Sequence, residues 1–407
     1  MSRATLLERL RGANPQLITF LAAVAALGVT AGIFHTTFNN YLNDTFAIRA
    51  DARGMLEFPR ELPGFLVALF AGALFFLTET RVAAVAAAVL ALGMAGLGLL
   101  GGTWAGMLVF MILWSIGGHI EMPMRSAIAM SLGTTSQHGR RMGQASGART
   151  GATVLGCLLV WLVIDYAGAN YTLTFLAGAF TALLAALLYL RIGRIGPSPR
   201  RAKFVLKRRY WLYYLLCTLF GARKQVFLTF APWVLVTVFG EPASTFAKLW
   251  IVSAVLGMFF QPALGDLIDR WGERRLLMAD GLALVLICVA YGFAEGLGLG
   301  PRAAWVMYAC YIADQLLFGV ENARSAYLAK IAERAEDISP SLSMGISINH
   351  AVSMLVPTLG GYVWVHHGYP WVFVGAAGVA ALTTAAASLV PTNLAREGEV
   401  HELSAGG

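Results

Sequence analysis

The sequence predicts an all-α membrane protein with twelve transmembrane helices in two six-helix halves. Of its 407 residues, 58% are hydrophobic and 13% are charged, whereas soluble domains average about 25% charged residues. The mean hydropathy is +0.67, and the apolar runs have the length of about 20 residues that crosses a hydrocarbon layer of about 30 Å. This composition cannot cover a surface that faces water, so an integral membrane protein is expected.

The twelve predicted spans are expected to be helices, because an open strand edge would leave backbone groups unpaired in lipid. Each span is an apolar run between polar or charged residues. In chain order they cover residues 17–42, 60–79, 82–100, 104–131, 142–165, 171–191, 210–239, 245–267, 275–295, 303–329, 342–366 and 370–390.

Small residues inside the spans indicate packing rather than chemistry. The fifth span has closely spaced glycines, which are typical of close helix packing: Gly147, Gly151 and Gly156. The four cysteines lie in apolar runs without metal-ligand spacing and are expected to be unpaired core residues: Cys157, Cys217, Cys288 and Cys310.

The distribution of Lys and Arg orients the spans. If both termini are cytoplasmic, most basic residues fall in inside segments, and the positive-inside rule is obeyed. The net charge of +8 then reflects orientation rather than nucleic-acid binding. The outside segments contain only Arg49, Arg53, Arg60, Lys248 and Arg302.

A basic, proline-containing segment divides the chain into an N-terminal half at 1–190 and a C-terminal half at 210–391. The segment itself, 191–209, is expected to be a solvated cytoplasmic linker, with an anionic-lipid or partner site as the alternative. Residues 392–407 form a cytoplasmic tail. The halves repeat each other, as internal duplication in secondary transporters predicts: Glu121-x-x-x-Arg125 matches Glu321-x-x-Arg324.

A charged turn joins the eighth and ninth spans. It reads Gly-x-x-x-Asp-Arg-x-Gly-x-Arg-Arg, a pattern that resembles the cytoplasmic loop signature of the major facilitator superfamily (MFS). With the twelve spans, the repeat and the basic linker, the resemblance covers nearly the whole chain. The motif positions are Gly265, Asp269, Arg270, Gly272, Arg274 and Arg275.

The resemblance implies the MFS fold, a secondary transporter and a cytoplasmic gate. In the family, the aspartate of the motif lies against a helix N-terminus of the other half and stabilises the outward-facing state. Asp269 is therefore expected to meet the start of the fifth span near Arg140 and Arg141. After the second span, Phe76 occupies the position of the aspartate, so the gate is expected to act on one side only.

Charged residues within spans cost several kcal/mol unless they are paired or face a cavity, so each is a functional candidate. Arg223 and Lys224 lie about 18 Å into the seventh span, and Asp314 and Gln315 lie at a similar depth in the tenth. Neighbouring helix residues point about 100° apart. One cation is expected to face the cavity while the other pairs with Asp314 or a backbone carbonyl. The alternative is a purely structural ion pair.

A second layer of charge lies nearer the cytoplasm. Glu121 and Arg125 share a helix face, as do Glu321 and Arg324, which predicts either a gating network or structural ion pairs. Arg149, Asn349 and His350 reach a comparable depth, and Arg149 and Asn349 are candidate substrate ligands. Buried carboxylates and histidines are candidate proton carriers: Asp314, Glu121, Glu321 and His350.

Two further groups receive structural interpretations. His119 is expected to be a satisfied core histidine. Glu57, Arg60 and Glu61 open the second span and are expected to form an exposed outer rim, with an outer gate as the alternative.

These features favour alternating-access transport of a small solute with proton coupling. Adjacent Arg223 and Lys224 favour an organic anion such as a carboxylate, and efflux of a drug or amphipathic compound is the alternative. We expect no cofactor or metal, and the lack of a Gly-rich phosphate loop in the sequence argues against direct use of ATP. The expected partners are the solute, protons and the lipid bilayer, and nucleic acid is not expected to bind. The protein is expected to be a monomer in a bacterial inner membrane.

Two other classes of protein are less favoured. A membrane sensor would carry a soluble signalling extension, and the segment after Pro391 is too short for a domain. A membrane enzyme would need a metal cluster or a Ser-His-Asp set at membrane depth, which the sequence does not suggest.

Overall fold

The computed structural model describes residues 14–70, 78–133, 137–168, 170–193 and 206–392. Long helices dominate these ranges, as predicted, and no strand occurs within them. In chain order the helices are α1 (Pro15–Phe46), α2 (Ala50–Met55), α3 (Glu57–Phe70), α4 (Glu79–Leu100), α5 (Trp104–Ser131), α6 (His138–Ala167), α7 (Tyr171–Arg191), α8 (Trp211–Thr237), α9 (Ala243–Phe293), α10 (Ala303–Leu317), α11 (Glu321–Ile331), α12 (Ala335–His367) and α13 (Tyr369–Ala387).

Ten helical segments of the described chain are long and apolar enough to cross a membrane. They correspond to ten of the twelve predicted spans. The second predicted span begins in α3, and residues 71–77 after it, including Phe76, lie outside the described ranges. The seventh corresponds to α8, which carries Arg223 and Lys224 in its middle. The all-helical, multi-pass fold class is confirmed.

The chain forms two compact units. The first comprises residues 1–46, 70–201 and 243–251, and the second comprises 47–69, 202–242 and 252–407. Helices α2 and α3 therefore belong to the second unit, and the first residues of α9 belong to the first. The division into sequential halves stays a prediction. Most of the predicted linker and tail, residues 194–205 and 393–407, lie outside the described ranges.

In the first unit, α1 packs against α6 and α7, and α4 packs against α5 and α7. Close backbone approach makes the α1–α6 contact possible, because a Cβ at Gly156 would meet the backbone of Val29. Around Gly147 and Gly151 the space is open. Of the three glycines predicted to mediate close packing, only Gly156 does so.

In the second unit, α8 is the central helix. It is buried along nearly its whole length and packs against α2, α10, α11, α12 and α13. Large side chains fill these contacts, including Trp233 and Phe227 of α8 and Phe373 of α13, none of which is more than 1% exposed. The four cysteines are buried and free, as predicted.

Helix α9 changes direction at Gly272, whose dihedrals (φ 75°, ψ 162°) are the non-helical ones inside it. Glycine adopts a positive φ without steric cost, so the change of direction in the predicted turn occurs at this one residue. The two arms of α9 form separate candidate spans, Ala243–Ile268 and Arg270–Phe293. The turn is therefore tighter than the eleven residues expected from the motif.

An ion pair anchors the segment that enters α8. Lys207 Nζ donates to both carboxylate oxygens of Asp337, each at 2.6 Å. This hydrogen bond lowers the pKa of Asp337 below 3.8 and raises the pKa of Lys207 above 10.5. Asp337 contributes stability above pH 3.8, which is lost as the pH falls through its lowered pKa. Lys207 contributes stability to the folded state below pH 10.5, and this stability is lost as the pH rises through its raised pKa.

The α1–α6 contact predicts opposite effects of one substitution at two glycines of α6. Gly156→Ala should lower the free energy of unfolding by about 1–3 kcal/mol, because the added methyl overlaps the backbone of Val29. Gly151→Ala, the matched control, should be neutral or stabilising by up to about 1 kcal/mol, because alanine favours the helix and meets open space. Thermal unfolding of the purified variants measures both. Equal effects at the two positions would contradict the packing assignment.

Candidate functional site

Two adjacent cations on α8 have different partners. Arg223 is 1% exposed, and its guanidinium forms an ion pair with Asp314 on α10. The prediction that one of the two cations pairs with Asp314 is confirmed. The Nε and Nη2 atoms of Arg223 are also buried, and neither has a hydrogen-bond partner among the described residues. Arg223 thus has two donor atoms that the described residues do not use.

Aromatic rings surround the Arg223 guanidinium. Its Cζ lies 5.7 Å from the ring centroid of Phe220, 6.0 Å from that of Phe227 and 5.5 Å from that of Phe318. Cation–π attraction stabilises a cation in such an apolar setting. Phe220 and Phe227 lie three and four residues from Arg223 on α8, a spacing that places them on its helix face, whereas Phe318 belongs to a distant segment and was not predictable.

Lys224 contacts an amide instead of a carboxylate. Its Nζ donates to Asn349 Oδ1 on α12 at 2.7 Å, and Ser353 Oγ donates to the same oxygen at 3.3 Å. A Cβ at Gly221 would meet Asn349 at 3.3 Å, so this glycine lets α12 approach α8. No carboxylate of the described residues lies within ion-pair distance of Lys224, and Glu61 contributes the largest attractive charge at longer range.

A buried charged network connects α2 and α3. Glu57 Oε1 accepts from Arg53 Nη1 at 2.6 Å, and Glu57 Oε2 accepts from Arg60 Nε at 2.6 Å. Arg60 Nη2 lies 3.1 Å from Glu61 Oε1, and Glu61 Oε2 lies 2.9 Å from His350 Nδ1 on α12. Opposite charges alternate through the network, which offsets the cost of burying them.

The predicted exposed rim is therefore wrong. Glu57 is 0% exposed and Glu61 is 8% exposed, because α2 and α3 pack within the second unit instead of ending at a solvated surface. Gln225 Nε2 also donates to Glu57 Oε2 at 2.8 Å, which ties α3 to the residue that follows Lys224 on α8. Hydropathy could not reveal this, since charges near a span end are usually solvated.

The Glu321–Arg324 pair is loose. Arg324 Nη2 lies 3.9 Å from Glu321 Oε1, whose side chain is 56% exposed. The Arg324 guanidinium instead lies over the ring of Phe220, 3.6 Å from its centroid. Phe220 is thus within cation–π distance of both Arg324 and Arg223. Gln315 is half-buried beside Asp314.

Sequence reasoning missed a buried acid in the ninth span. Asp280 on α9 is 5% exposed, and its Oδ1 has no hydrogen-bond partner among the described residues. It lies within electrostatic range of Arg223, Arg324 and Asp314. Its position inside an apolar run was the available signal, by the rule that marks ionisable residues in spans as candidates.

The first unit holds a separate cluster around Glu121, which is 1% exposed. Tyr189 on α7 donates to Glu121 Oε1 at 2.9 Å, and Arg125 Nη1 donates to Glu121 Oε2 at 3.3 Å. Arg149 Nη1 on α6 lies 3.6 Å from Oε2. The predicted Glu121–Arg125 pair is present. Tyr189 had no signal in the sequence.

His119 has local hydrogen-bond partners, as expected, because its Nδ1 lies 3.0 Å from Ser115 Oγ and 2.9 Å from Ser115 O.

The charged and polar residues predicted for the substrate, proton and gate sites divide between the two units. Arg149, Glu121 and Arg125 form one group in the first unit. The second unit contains Arg223, Lys224, Asp314, Gln315, Glu321, Arg324, Asn349 and His350.

The motif residues of the turn are less fully described. The side chain of Asp269 lies outside the described part of the chain, so its contact with the fifth span stays a prediction. Gly265, Arg270 and Arg275 are exposed, and Arg274 is half-buried. Glu273, inside the motif, is buried and lies 2.6 Å from Lys330 Nζ. This ion pair fastens the turn to the end of α11.

Comparison with known proteins gives a consistent result. The sequence profile described as Major Facilitator Superfamily matches residues 60–339. No curated protein matches significantly. Among solved structures, the nucleoside transporter NupG has a TM-score of 0.73 at 13% identity, covering 92% of this chain and 98% of its own.

Two further solved structures have the same fold. The D-xylose-proton symporter has a TM-score of 0.70 at 16% identity, covering 93% of this chain and 98% of its own. A bacterial homologue of the human lysosomal transporter Spinster has a TM-score of 0.67 at 15% identity, covering 95% and 99%. Because the named solutes differ chemically, this likeness shows the fold and leaves the solute to the side chains.

The buried network predicts that Glu57 is required for stability. Glu57→Gln should lower the free energy of unfolding by about 3–5 kcal/mol, because Arg53 and Arg60 would remain buried without their shared carboxylate. The matched control, Glu321→Gln, should cost less than about 1 kcal/mol, because its pair is long and exposed. Denaturant unfolding in detergent measures both. A Glu57 effect as small as the control would contradict the network.

Proposed function

The chain belongs to the Major Facilitator Superfamily, and on that premise we propose that it transports a small organic anion by alternating access coupled to protons. Family membership makes it a multi-pass membrane transporter rather than an enzyme. We further propose a monomer in a bacterial inner membrane, with both termini in the cytoplasm as the positive-inside rule predicts.

The observation that carries the anion assignment is the unequal pairing of Arg223 and Lys224. Asp314 balances the charge of Arg223, whereas Lys224 donates to the neutral amide of Asn349. A half-buried ammonium without a carboxylate partner is costly unless an anion approaches it. A carboxylate ligand would supply that charge and a charge-assisted hydrogen bond.

Arg223 supplies a second point of attachment. Its Nε and Nη2 are buried without hydrogen-bond partners among the described residues, while Nη1 is committed to Asp314. A guanidinium with one edge in use retains donors for a further oxygen. We propose that Lys224 attracts the anion and that Arg223 and Asn349 orient it. The alternative, efflux of amphipathic compounds, would not require a lysine without a carboxylate in contact.

For proton coupling we favour the Glu61–His350 pair over the other candidates. Histidine changes charge near neutral pH, and His350 Nδ1 lies 2.9 Å from Glu61 Oε2. The carboxylates of Asp314 and Glu121 already accept from arginine or tyrosine, so a proton would have to displace those contacts. His350 also follows Asn349, the amide that contacts Lys224, which links protonation to the anion site.

Charge removal at Lys224 tests the anion assignment. Lys224→Gln should weaken carboxylate binding by roughly ten- to a hundred-fold, the equivalent of one charge-assisted hydrogen bond, whereas Lys224→Arg should retain most affinity. The control Arg209→Gln removes an exposed cation whose partner Glu333 lies 2.9 Å away and should have no effect. Calorimetry with acetate, benzoate and succinate measures binding. Carboxylate affinity unchanged by Lys224→Gln would reject the anion assignment.

A second variant tests proton coupling. His350→Gln keeps a hydrogen-bonding side chain beside Glu61 but cannot carry a proton near neutral pH, so solute accumulation driven by an imposed pH gradient should be lost. Solute exchange at equal pH should persist. The control is His366→Gln. His366 lies on the same helix at an exposed position, where its Nδ1 contacts Tyr362 O. Vesicle uptake measures both modes, and gradient-driven accumulation that survives His350→Gln would exclude this residue.

A further inference from the structure

An aromatic cluster in the first unit takes no part in the anion and proton sites. It consists of His35 on α1, Trp114 on α5 and Trp250 near the start of α9. The imidazole of His35 stacks on Trp250, with ring centroids 5.8 Å apart and planes 15° apart. Trp114 meets His35 edge-on, at 6.1 Å and 85°. Three helices thus contribute ring systems to one place.

His35 is the exposed member of a buried stretch. Every other residue from Thr30 to Leu42 on α1 is buried, and His35 alone in that stretch is exposed. An ionisable side chain in the middle of a span avoids lipid and faces a water-filled cavity or the protein interior. The exposed imidazole of His35 is therefore expected to face water rather than lipid, beside the two indoles that it contacts.

Buried contacts hold Trp114 in place. Its indole stacks on Phe34, with ring centroids 3.5 Å apart and planes 12° apart, and Phe34 is 1% exposed. Phe34 also stacks on Phe38, at 4.6 Å and 19°. A ring held by packing loses little conformational entropy when it binds a ligand. Trp114, the residue that α5 contributes to the cluster, is consequently preorganised for binding.

We infer that His35, Trp114 and Trp250 form a subsite for a planar, unsaturated ring of a small molecule. The inference rests on the proposed transport function for the statement that the ring belongs to a transported molecule. Indole and imidazole faces bind flat π systems through offset stacking and edge contacts. A saturated ring or lipid chain has no flat face to stack, so it gains only contact area.

Charge near the cluster disfavours a cationic occupant. A histidine side chain carries either no charge or a positive one, so His35 supplies no charge that attracts a cation. Lys248, two residues before Trp250, lies over the ring of Trp161, 5.0 Å from its centroid. Its ammonium would repel an organic cation, although indole faces alone would attract one. The subsite therefore takes a neutral or anionic ring.

Four probes separate ring recognition from anion recognition: benzoate, cyclohexanecarboxylate, benzamide and cyclohexanecarboxamide. Binding of each to the full chain in lipid nanodiscs is measured by calorimetry. Each aromatic probe should bind about three- to ten-fold tighter than its saturated counterpart, the value of one aromatic contact. A merely apolar pocket would bind the saturated rings at least equally well. Carboxylate against carboxamide separately reports the proposed anion site.

Two substitutions test which residues produce the preference for aromatic over saturated probes. Trp250→Leu and His35→Ala should each abolish the aromatic preference, and His35 is exposed, so its variant preserves the packing of α1. Trp161→Leu, the matched indole control, should leave it intact. Equal affinities within each aromatic–saturated pair, undetectable binding of both aromatic probes, or a preference that survives both substitutions would overturn the inference. Equal binding of carboxylates and carboxamides would contradict the anion proposal while leaving the ring subsite standing.

Discussion

The buried ion pair between Arg223 and Asp314 is the constraint on which the candidate site depends. Two adjacent cations in a central, apolar helix cannot both remain uncompensated, because each isolated buried charge costs several kcal/mol. Asp314 balances Arg223, and three phenylalanine rings surround the guanidinium. Lys224 is left with an amide oxygen. The second cation, which has no carboxylate in contact, is therefore the one to which we assign the solute.

The neighbouring charges are arranged around this same helix. Glu57 accepts hydrogen bonds from Arg53, Arg60 and Gln225, so the residue after Lys224 is fixed to α3. Asn349 and His350 are consecutive on α12, and one contacts Lys224 while the other contacts Glu61. A change in the protonation of His350 would thus act one residue away from the amide that positions the lysine. This arrangement is the short physical route by which we propose that protonation acts on the anion site.

The helical, multi-pass fold and the charged residues of the site were predictable from the sequence. Apolar run length and the rarity of charges in spans suffice to identify Arg223, Lys224 and Asp314. The burial of Glu57 and Glu61 was not predictable, since charges at a span end are usually solvated and their partners His350 and Gln225 are far away in the chain. Asp280 followed the rule for charges in spans but stood alone, without a helical neighbour of opposite charge to mark it.

Tertiary partners account for most of the remaining differences. Tyr189 joins Glu121, and Phe220 lies against Arg324, through packing that hydrophobic periodicity does not encode. The motif turn at Gly272 is tighter than its spacing suggests, because one residue with a positive φ ends one arm of α9 and begins the other. Likewise, of Gly147, Gly151 and Gly156 in α6, only Gly156 faces a neighbouring backbone, a distinction that spacing alone does not make.

The most direct measurement of the central claim is carboxylate binding to an Asn349→Asp variant. This nearly isosteric change places a carboxylate where Lys224 Nζ now meets an amide oxygen at 2.7 Å, and it leaves the Arg223–Asp314 pair in place. If Lys224 is the uncompensated cation that attracts the solute, calorimetry should show carboxylate affinity reduced at least about ten-fold, with thermal stability maintained. Unchanged carboxylate affinity in a stably folded Asn349→Asp protein would contradict the account.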